Sequence, residues 1–208
     1  MALHKTSLTL SFRGKKLSVP RSVYAPSDDS FLLAGAVKKF ARGDVLDLGT
    51  GCGIQGIIAA GNAESVTFSD VSPEALECAR KNAEKNVSGA SCTLHFIETN
   101  LFKKIPRGKK FDVIIFNPPY LPTKPCEKVS GAINSAWDGG RNGRKVIAPF
   151  LKRFPARLKK GGILLYLNCH LSGTRETLKA LKRQGFKVET VAGKRAGNER
   201  LSVFRSWK

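Results

Sequence analysis

The tightest constraint on this chain is a run of alternate glycines set between a strand and a helix. Asp44 to Leu48 reads as a short buried strand, and Ile54, Ile57 and Ile58 lead a helix to Gly61. Between them stand Gly49, Gly51 and Gly53, with Gly56 following. A strand that turns into a helix over glycines leaves its backbone open to a ligand, because a β-carbon there would strain the turn or meet the ligand. Such turns open the parallel α/β sheets that bind nucleotides, and several cofactor classes share them.

The remaining sequence repeats the alternation. Upstream, Thr9 to Phe12 and Lys16 to Val19 read as a hairpin about Arg13-Gly14. Ser27 is placed to cap a helix from near Asp28, with Phe31, Leu32, Val37 and Phe40 inside and Gly43 at its end. Downstream, Ser65 to Ser69 is a strand ending at Asp70, and Ser72-Pro73-Glu74 starts a helix with Leu76, Ala79 and Ala83 on its inner stripe. Ser91 to Ile97 alternates as a further strand, and Phe111 to Phe116 is apolar almost throughout, as a central strand would be. A helix through Val146, Phe150, Phe154 and Leu158 follows, then a turn at Gly161-Gly162 into strand Ile163 to Leu167. A helix over Thr174 to Gln184 and strands Phe186 to Val191 and Arg200 to Phe204 close the chain. The expectation is an α/β, Rossmann-like fold: a seven-stranded, mostly parallel sheet with helices on both faces and a short N-terminal hairpin. With no repeats and no linker, residues 1–208 read as one domain and 1–22 as its hairpin extension.

Composition narrows the function classes. No apolar run is long enough to span a membrane and the N-terminus lacks a signal pattern, so a cytoplasmic protein is expected. Cys52, Cys78, Cys92, Cys126 and Cys169 are scattered without a Cys-x-x-Cys pair, which argues against a disulfide framework and a zinc finger. Cys92 and His95 have ligand-like spacing, but no second pair completes a metal site. The charge is extreme: 36 Lys and Arg against 16 Asp and Glu give +20, a surface that attracts polyanions such as RNA.

Two strand ends carry the chemistry. Asp47 precedes the first glycine by two residues, where a carboxylate suits a cationic ligand and would repel a pyrophosphate. That favours S-adenosyl-L-methionine, which carries an ammonium and a sulfonium, over a dinucleotide. Asp70, at the end of the next strand, is placed to accept from both ribose hydroxyls, and Asn100-Leu101 falls where an adenine edge would lie. The other end is Asn117-Pro118-Pro119-Tyr120, directly after the apolar Phe111 to Phe116 strand. Prolines there fix the backbone direction. The Asn117 side-chain oxygen and the Pro118 carbonyl can accept both N–H bonds of one planar NH2 group, and the Tyr120 ring can stack on it. Asparagine is no strong base, so any rate gain comes from orientation and charge stabilisation.

On these residues the chain resembles the class I methyltransferases with an N-P-P-Y motif, and more narrowly the HemK-like archaeal and eukaryotic release-factor glutamine N5-methyltransferases. The likeness takes in Val23 to Leu33, Asp47 to Gly53, Asp70, Asn117 to Tyr120 and Ala136 to Arg144. It implies S-adenosyl-L-methionine as cofactor, with Ser30 near its methionine end, Asp47, Gly49, Gly51 and Gly53 along the turn, Asp70 on the ribose, Asn100 and Leu101 beside the adenine, and Asn117 touching both cofactor and substrate. The family commonly has Asp at the position of Asn100. It also implies the Gly-Gly-Gln glutamine of a class 1 peptide release factor as substrate; the cysteine and histidine spacing itself leads us to expect no metal in this chain. Residues 121–142 become the substrate loop. A small zinc-binding activator is expected on an edge strand, for which Ser91 to Ile97 is the candidate. Only about forty residues precede Asp44, too few for the helical substrate domain of the bacterial enzymes.

Two other readings fit the residues. One keeps the chemistry and takes an exocyclic amine of RNA or DNA, adenine N6 or guanine N2, a choice the charge favours. The other is a non-catalytic RNA-binding or scaffold protein on the same fold, which has no need of Asp47, Gly49, Gly51, Asp70 and Asn117 together.

Overall fold

The computed structural model describes residues 7–87, 91–123 and 138–208. An antiparallel hairpin comes first, β1 (Ser7–Phe12) and β2 (Lys15–Pro20). Its turn places Arg13 at φ 50° and Gly14 at φ 78°, the left-handed pair that a tight hairpin requires. Then follow α1 (Asp28–Phe40), β3 (Gly43–Leu48), α2 (Ile54–Ala59), β4 (Ala63–Asp70), α3 (Pro73–Asn86), β5 (Thr93–Glu98) and β6 (Phe111–Phe116). The chain closes with α4 (Ile147–Arg153), β7 (Leu158–Cys169), α5 (Thr174–Arg183), β8 (Lys187–Ala196) and β9 (Glu199–Trp207).

The large sheet has seven strands in the order β5-β4-β3-β6-β7-β9-β8. Pairs from β5 through β7 are parallel, and β9 runs antiparallel to both neighbours. The chain therefore builds outward from β3 to β5 and then returns to lay β6 against the other side of β3. That reversal opens a crevice at the carboxyl ends of the two strands, where ligands of such sheets bind. Register pairs Leu48 with Phe116, so the glycine turn and Asn117 emerge side by side. The apolar β6 is central, as expected, and Phe116, Phe150 and Tyr166 pack beside it with ring centroids 4.3 to 6.3 Å apart.

The hairpin is docked by asparagines of α3 that imitate a strand. Asn82 and Asn86 each exchange two bonds with the backbone of β2, at Ser18 and Lys16, over 2.8 to 3.2 Å. Asn82 also donates to the Cys52 carbonyl in the glycine turn, which links hairpin, helix and turn.

Several local expectations are corrected. Ser27 occupies the N-cap position of α1 without a side-chain cap bond, because its hydroxyl is drawn to Asp29 instead. Gly43 does not end α1, which stops at Phe40; it opens β3 at φ 62°. The buried face of α1 includes Leu33, Ala34 and Ala36, while Phe31 and Leu32 stay half-exposed. Helix α4 ends at Arg153, since Pro155 turns Phe154–Arg157 into a single 3-10 turn. Gly161 and Gly162 lie inside β7 at a register shift beside Phe111 and Val113, rather than in a turn before it. Strands β8 and β9 are longer than their apolar stretches suggested, since polar residues extend the hairpin beyond the core. Among the described residues, no helix is long and apolar enough to cross a membrane.

Candidate active site

A cavity of about 790 Å³ opens over the carboxyl ends of β3, β4 and β6. Every expected cofactor or catalytic residue from Ser30 to Tyr120 lines it, except Gly53, which lies behind. Its electrostatics oppose those of the whole chain. Among the described residues, Asp28, Asp29, Asp47, Asp70, Asp138 and Glu199 line it against one lysine, Lys145, which is paired with Asp138 at 3.0 Å. A chain of net charge +20 thus encloses an acidic chamber.

Backbone geometry shapes one half of the chamber. Gly49 and Gly51 have φ of 66° and 55°. A β-carbon on Gly51 would meet no protein atom within 4 Å, so the space above it is open to a ligand. Gly53 and Gly56 serve packing instead: their β-carbons would lie 3.0 Å from Ala79 of α3 and 2.2 Å from the Phe68 ring. Asp47 is buried at the base, where its Oδ2 accepts from the Thr50 hydroxyl and from the Gly56 N–H at 2.9 Å. Burial pushes its carboxyl up to about 6, opposed by those two bonds and reinforced by the charge of Asp70. Asp70 accepts from the Gly51 N–H at 3.0 Å and the Ser72 N–H at 2.9 Å. It therefore braces the turn and the start of α3 as well as facing the chamber, and burial raises its carboxyl too. Ser72 caps α3 through the Ala75 N–H, as expected. Leu101 adopts φ 53°, a conformation disfavoured for leucine, and Asn100 beside it is exposed. Such strain is found where a binding surface must be shaped.

The other half is held by side chains. Asn117 donates through Nδ2 to Asp29 Oδ2 at 3.0 Å, and its own Oδ1 is buried without a partner among the described residues. Tyr120 is nearly buried, with its hydroxyl 3.2 Å from Glu199 and 3.5 Å from Asp29. Burial and those two carboxylates push its phenol well above the usual range. Ser30 is buried, its hydroxyl donates to Asp29, and its backbone carbonyl accepts from Gln55 Nε2 at 2.9 Å.

Most of the expected substrate loop, residues 124–137, lies outside the described residues, and Ala136 and Trp137 fall there. Its two ends are stapled. Leu121 bridges to Asp138, Gly139 N–H donates to the Leu121 carbonyl at 3.0 Å, and the Thr123 hydroxyl donates to Asp138 at 2.6 Å. A β-carbon on Gly143 would lie 2.4 Å from the Tyr120 carbonyl, so this glycine lets the returning chain pack on the N-P-P-Y tip. Arg144 pins the same turn to the start of α5 through the Ser172 and Gly173 carbonyls and the Thr177 hydroxyl.

Sequence reasoning missed Asp29, Glu199 and Gln55. Asp29 sits in an acidic pair that reads as an ordinary helix start. Glu199 left a faint mark, since no other acid stands between Thr190 and the C-terminus. Gln55 gave no signal.

The donor set suits S-adenosylmethionine: buried carboxylates for cationic groups, an accepting carboxylate at the second strand end, and open space over Gly51. A family model described as the methyltransferase small domain matches residues 26–133. The "Putative protein N5-glutamine methyltransferase" of Methanocaldococcus jannaschii is 38% identical over 202 residues, spanning 97% of this chain and 100% of the relative. "Methyltransferase HEMK2" of Homo sapiens is 33% identical over 196 residues, covering 89% and 90% of the two chains. The E. cuniculi Mtq2-Trm112 complex, described as responsible for methylation of the eRF1 translation termination factor, holds a similar chain at TM-score 0.70 and 24% identity. That match covers 90% of this chain and 99% of the other, and at this identity it speaks for the fold. The chain belongs to the methyltransferase small-domain family and, within it, to the S-adenosylmethionine-dependent N-methyltransferases grouped with HEMK2.

Proposed function

We propose that this chain methylates the side-chain amide nitrogen of the glutamine in the Gly-Gly-Gln loop of a class 1 peptide release factor. The observation that carries the reading is Asn117, which lines the chamber beside the glycine turn: its nitrogen is committed to Asp29 while its buried oxygen has no partner among the described residues. An unpaired buried acceptor costs about 1–3 kcal/mol, so the working complex calls for a donor there, and an amide NH2 supplies one. The names of the relatives support the same substrate.

When bound, S-adenosylmethionine supplies an electrophilic methyl group on a sulfonium. Asp47 would hold its ammonium, with Ser30 close by; Asp70 would accept from the ribose hydroxyls; Asn100 and Leu101 would flank the adenine. Gly49 and Gly51 let the backbone approach it, and Gly53 keeps the turn against α3. Asn117 Oδ1 and the Pro118 carbonyl take the two N–H bonds of the glutamine amide and aim its nitrogen, Pro119 stiffens the tip, and Tyr120 covers the flat group. The acidic chamber favours the positive charge that develops on nitrogen.

A zinc-binding activator fits the outer edge of β5, where no strand pairs among the described residues and Leu94 and Ile97 are half-exposed. RNA contact fits the face formed by α4 and α5. Lys152, Arg153, Lys179, Lys182 and Arg183 are exposed there without an ion pair among the described residues, against one acid, Glu176. That face also favours the second reading, a nucleobase amine as methyl acceptor.

The test is incubation with methyl-labelled cofactor, release factor, tRNA and rRNA, with and without activator, followed by mass spectrometry. Label on the Gly-Gly-Gln glutamine is expected. Label confined to nucleic acid overturns the substrate assignment.

A further inference from the structure

Asp29 is 3% exposed, yet no cation pairs with it among the described residues. Hydrogen bonds hold it instead. Its Oδ1 accepts from the Ser30 N–H, and from the hydroxyls of Ser30 at 3.0 Å, Ser27 at 3.1 Å and Tyr24 at 3.2 Å. All four donors belong to the start of α1 or the loop before it. The other oxygen, Oδ2, points across the chamber to Asn117 Nδ2 at 3.0 Å.

A carboxamide has one accepting end and one donating end, and it presents whichever end its neighbours leave free. An ionised carboxylate only accepts. Facing Asp29, Asn117 must therefore turn its nitrogen inward and leave its oxygen for a donor. Reversed, it would present N–H to an NH2 group, and the two donors would repel.

We infer that Asp29 is a positioning residue that sets the polarity of the Asn117 carboxamide, and so selects a methyl acceptor that arrives as an N–H donor. The inference rests on the proposed function for the identity of that acceptor but not for its sign, since glutamine amides and nucleobase amines both present N–H.

The experiment is an isosteric exchange in the full chain with its activator: Asp29→Asn, Asn117→Asp, and the two together. Asp29→Asn allows residue 29 to donate, so Asn117 turns over and its N–H meets the acceptor's N–H. We expect kcat to fall about a hundredfold, with the dissociation constant for S-adenosylmethionine changed less than about threefold. Asn117→Asp alone sets two carboxylates face to face and should be as poor. The double variant restores one donor and one acceptor between the positions and returns an accepting oxygen to the chamber. Its kcat should exceed that of Asp29→Asn by at least about tenfold. A purely structural role for Asp29 predicts no such rescue. A double variant no better than the worse single one, or Asp29→Asn with wild-type kcat, overturns the inference.

Should Asp29→Asn fail to fold, the wild-type protein still decides. The side-chain NH2 protons of Asn117, identified by their loss in Asn117→Ala, should give one signal held downfield and slow to exchange. Two equivalent, solvent-like signals overturn the inference. If wild type methylates a nucleobase amine and no glutamine, the substrate proposal falls, and the same exchange run on that amine still tests the polarity.

Discussion

The two halves of the chamber are built on different plans. In the half with the glycine turn, the polar groups are braced by near neighbours and by backbone. Asp47 is tied to Thr50 and Gly56, and Asp70 to Gly51 and Ser72. In the Asn117 half, side chains hold side chains across long stretches of chain: Asn117 to Asp29, and Tyr120 to Glu199 and Asp29. Backbone-braced carboxylates keep their geometry when a single side chain is lost. A carboxamide held by one carboxylate does not, so we expect the first half to govern affinity and the second to govern the chemical step.

The sharpest way to break that division is Asn117→Ala. We expect kcat to drop by about a hundredfold to a thousandfold while the S-adenosylmethionine dissociation constant, from calorimetry, moves little. Equal loss of both would mean that Asn117 serves the cofactor. Asp70→Ala should show the converse. Losing acceptors for ribose and for two backbone N–H groups should weaken cofactor binding by roughly tenfold to a hundredfold. It should also lower the melting temperature, with kcat at saturating cofactor largely kept.

A pH series sharpens the first half further. The Asp47 carboxyl stands at about 6 in the fold, above its ordinary value, chiefly because it is buried. It is neutral below that pH and anionic above, and only the anion attracts an ammonium. Cofactor affinity should therefore rise as pH climbs from 5 to 7, by at most about tenfold per unit, and Asp47→Asn should flatten the rise. Stability has the opposite sign. The folded chain holds this proton where the unfolded chain has lost it, so Asp47 costs stability as pH rises from roughly 4 to 6. The smallest effect is expected at Glu199→Gln: the Tyr120 hydroxyl keeps an acceptor without charge, and kcat should change less than about threefold.

The same division explains what could be read from the chain alone. The glycine turn, Asp47, Asp70 and Asn117 each lie at or just past the carboxyl end of a strand whose apolar pattern announces it, so position within a local pattern was enough. The mostly parallel sheet covered by helices was legible for the same reason, since strands alternating with helices leave few ways to wind, whereas the order of its strands came only with the fold. Asp29 and Glu199 act through partners 79 to 91 residues away, and no local pattern encodes such a meeting. The loop glycines were visible as glycines only. That Gly143 is required by the Tyr120 carbonyl, and that Arg144 fastens α5, needed the fold.

The central claim is that a methyl donor over Gly51 and a nitrogen held by Asn117 share one chamber. The most direct measurement is a crystal structure with S-adenosylhomocysteine and a peptide carrying Gly-Gly-Gln. The account predicts the ribose on Asp70, and the glutamine nitrogen within hydrogen-bond distance of Asn117 Oδ1 and the Pro118 carbonyl, facing the cofactor sulfur. A peptide amide met by Asn117 Nδ2, or a cofactor seated away from Asp47 and Asp70, would contradict it.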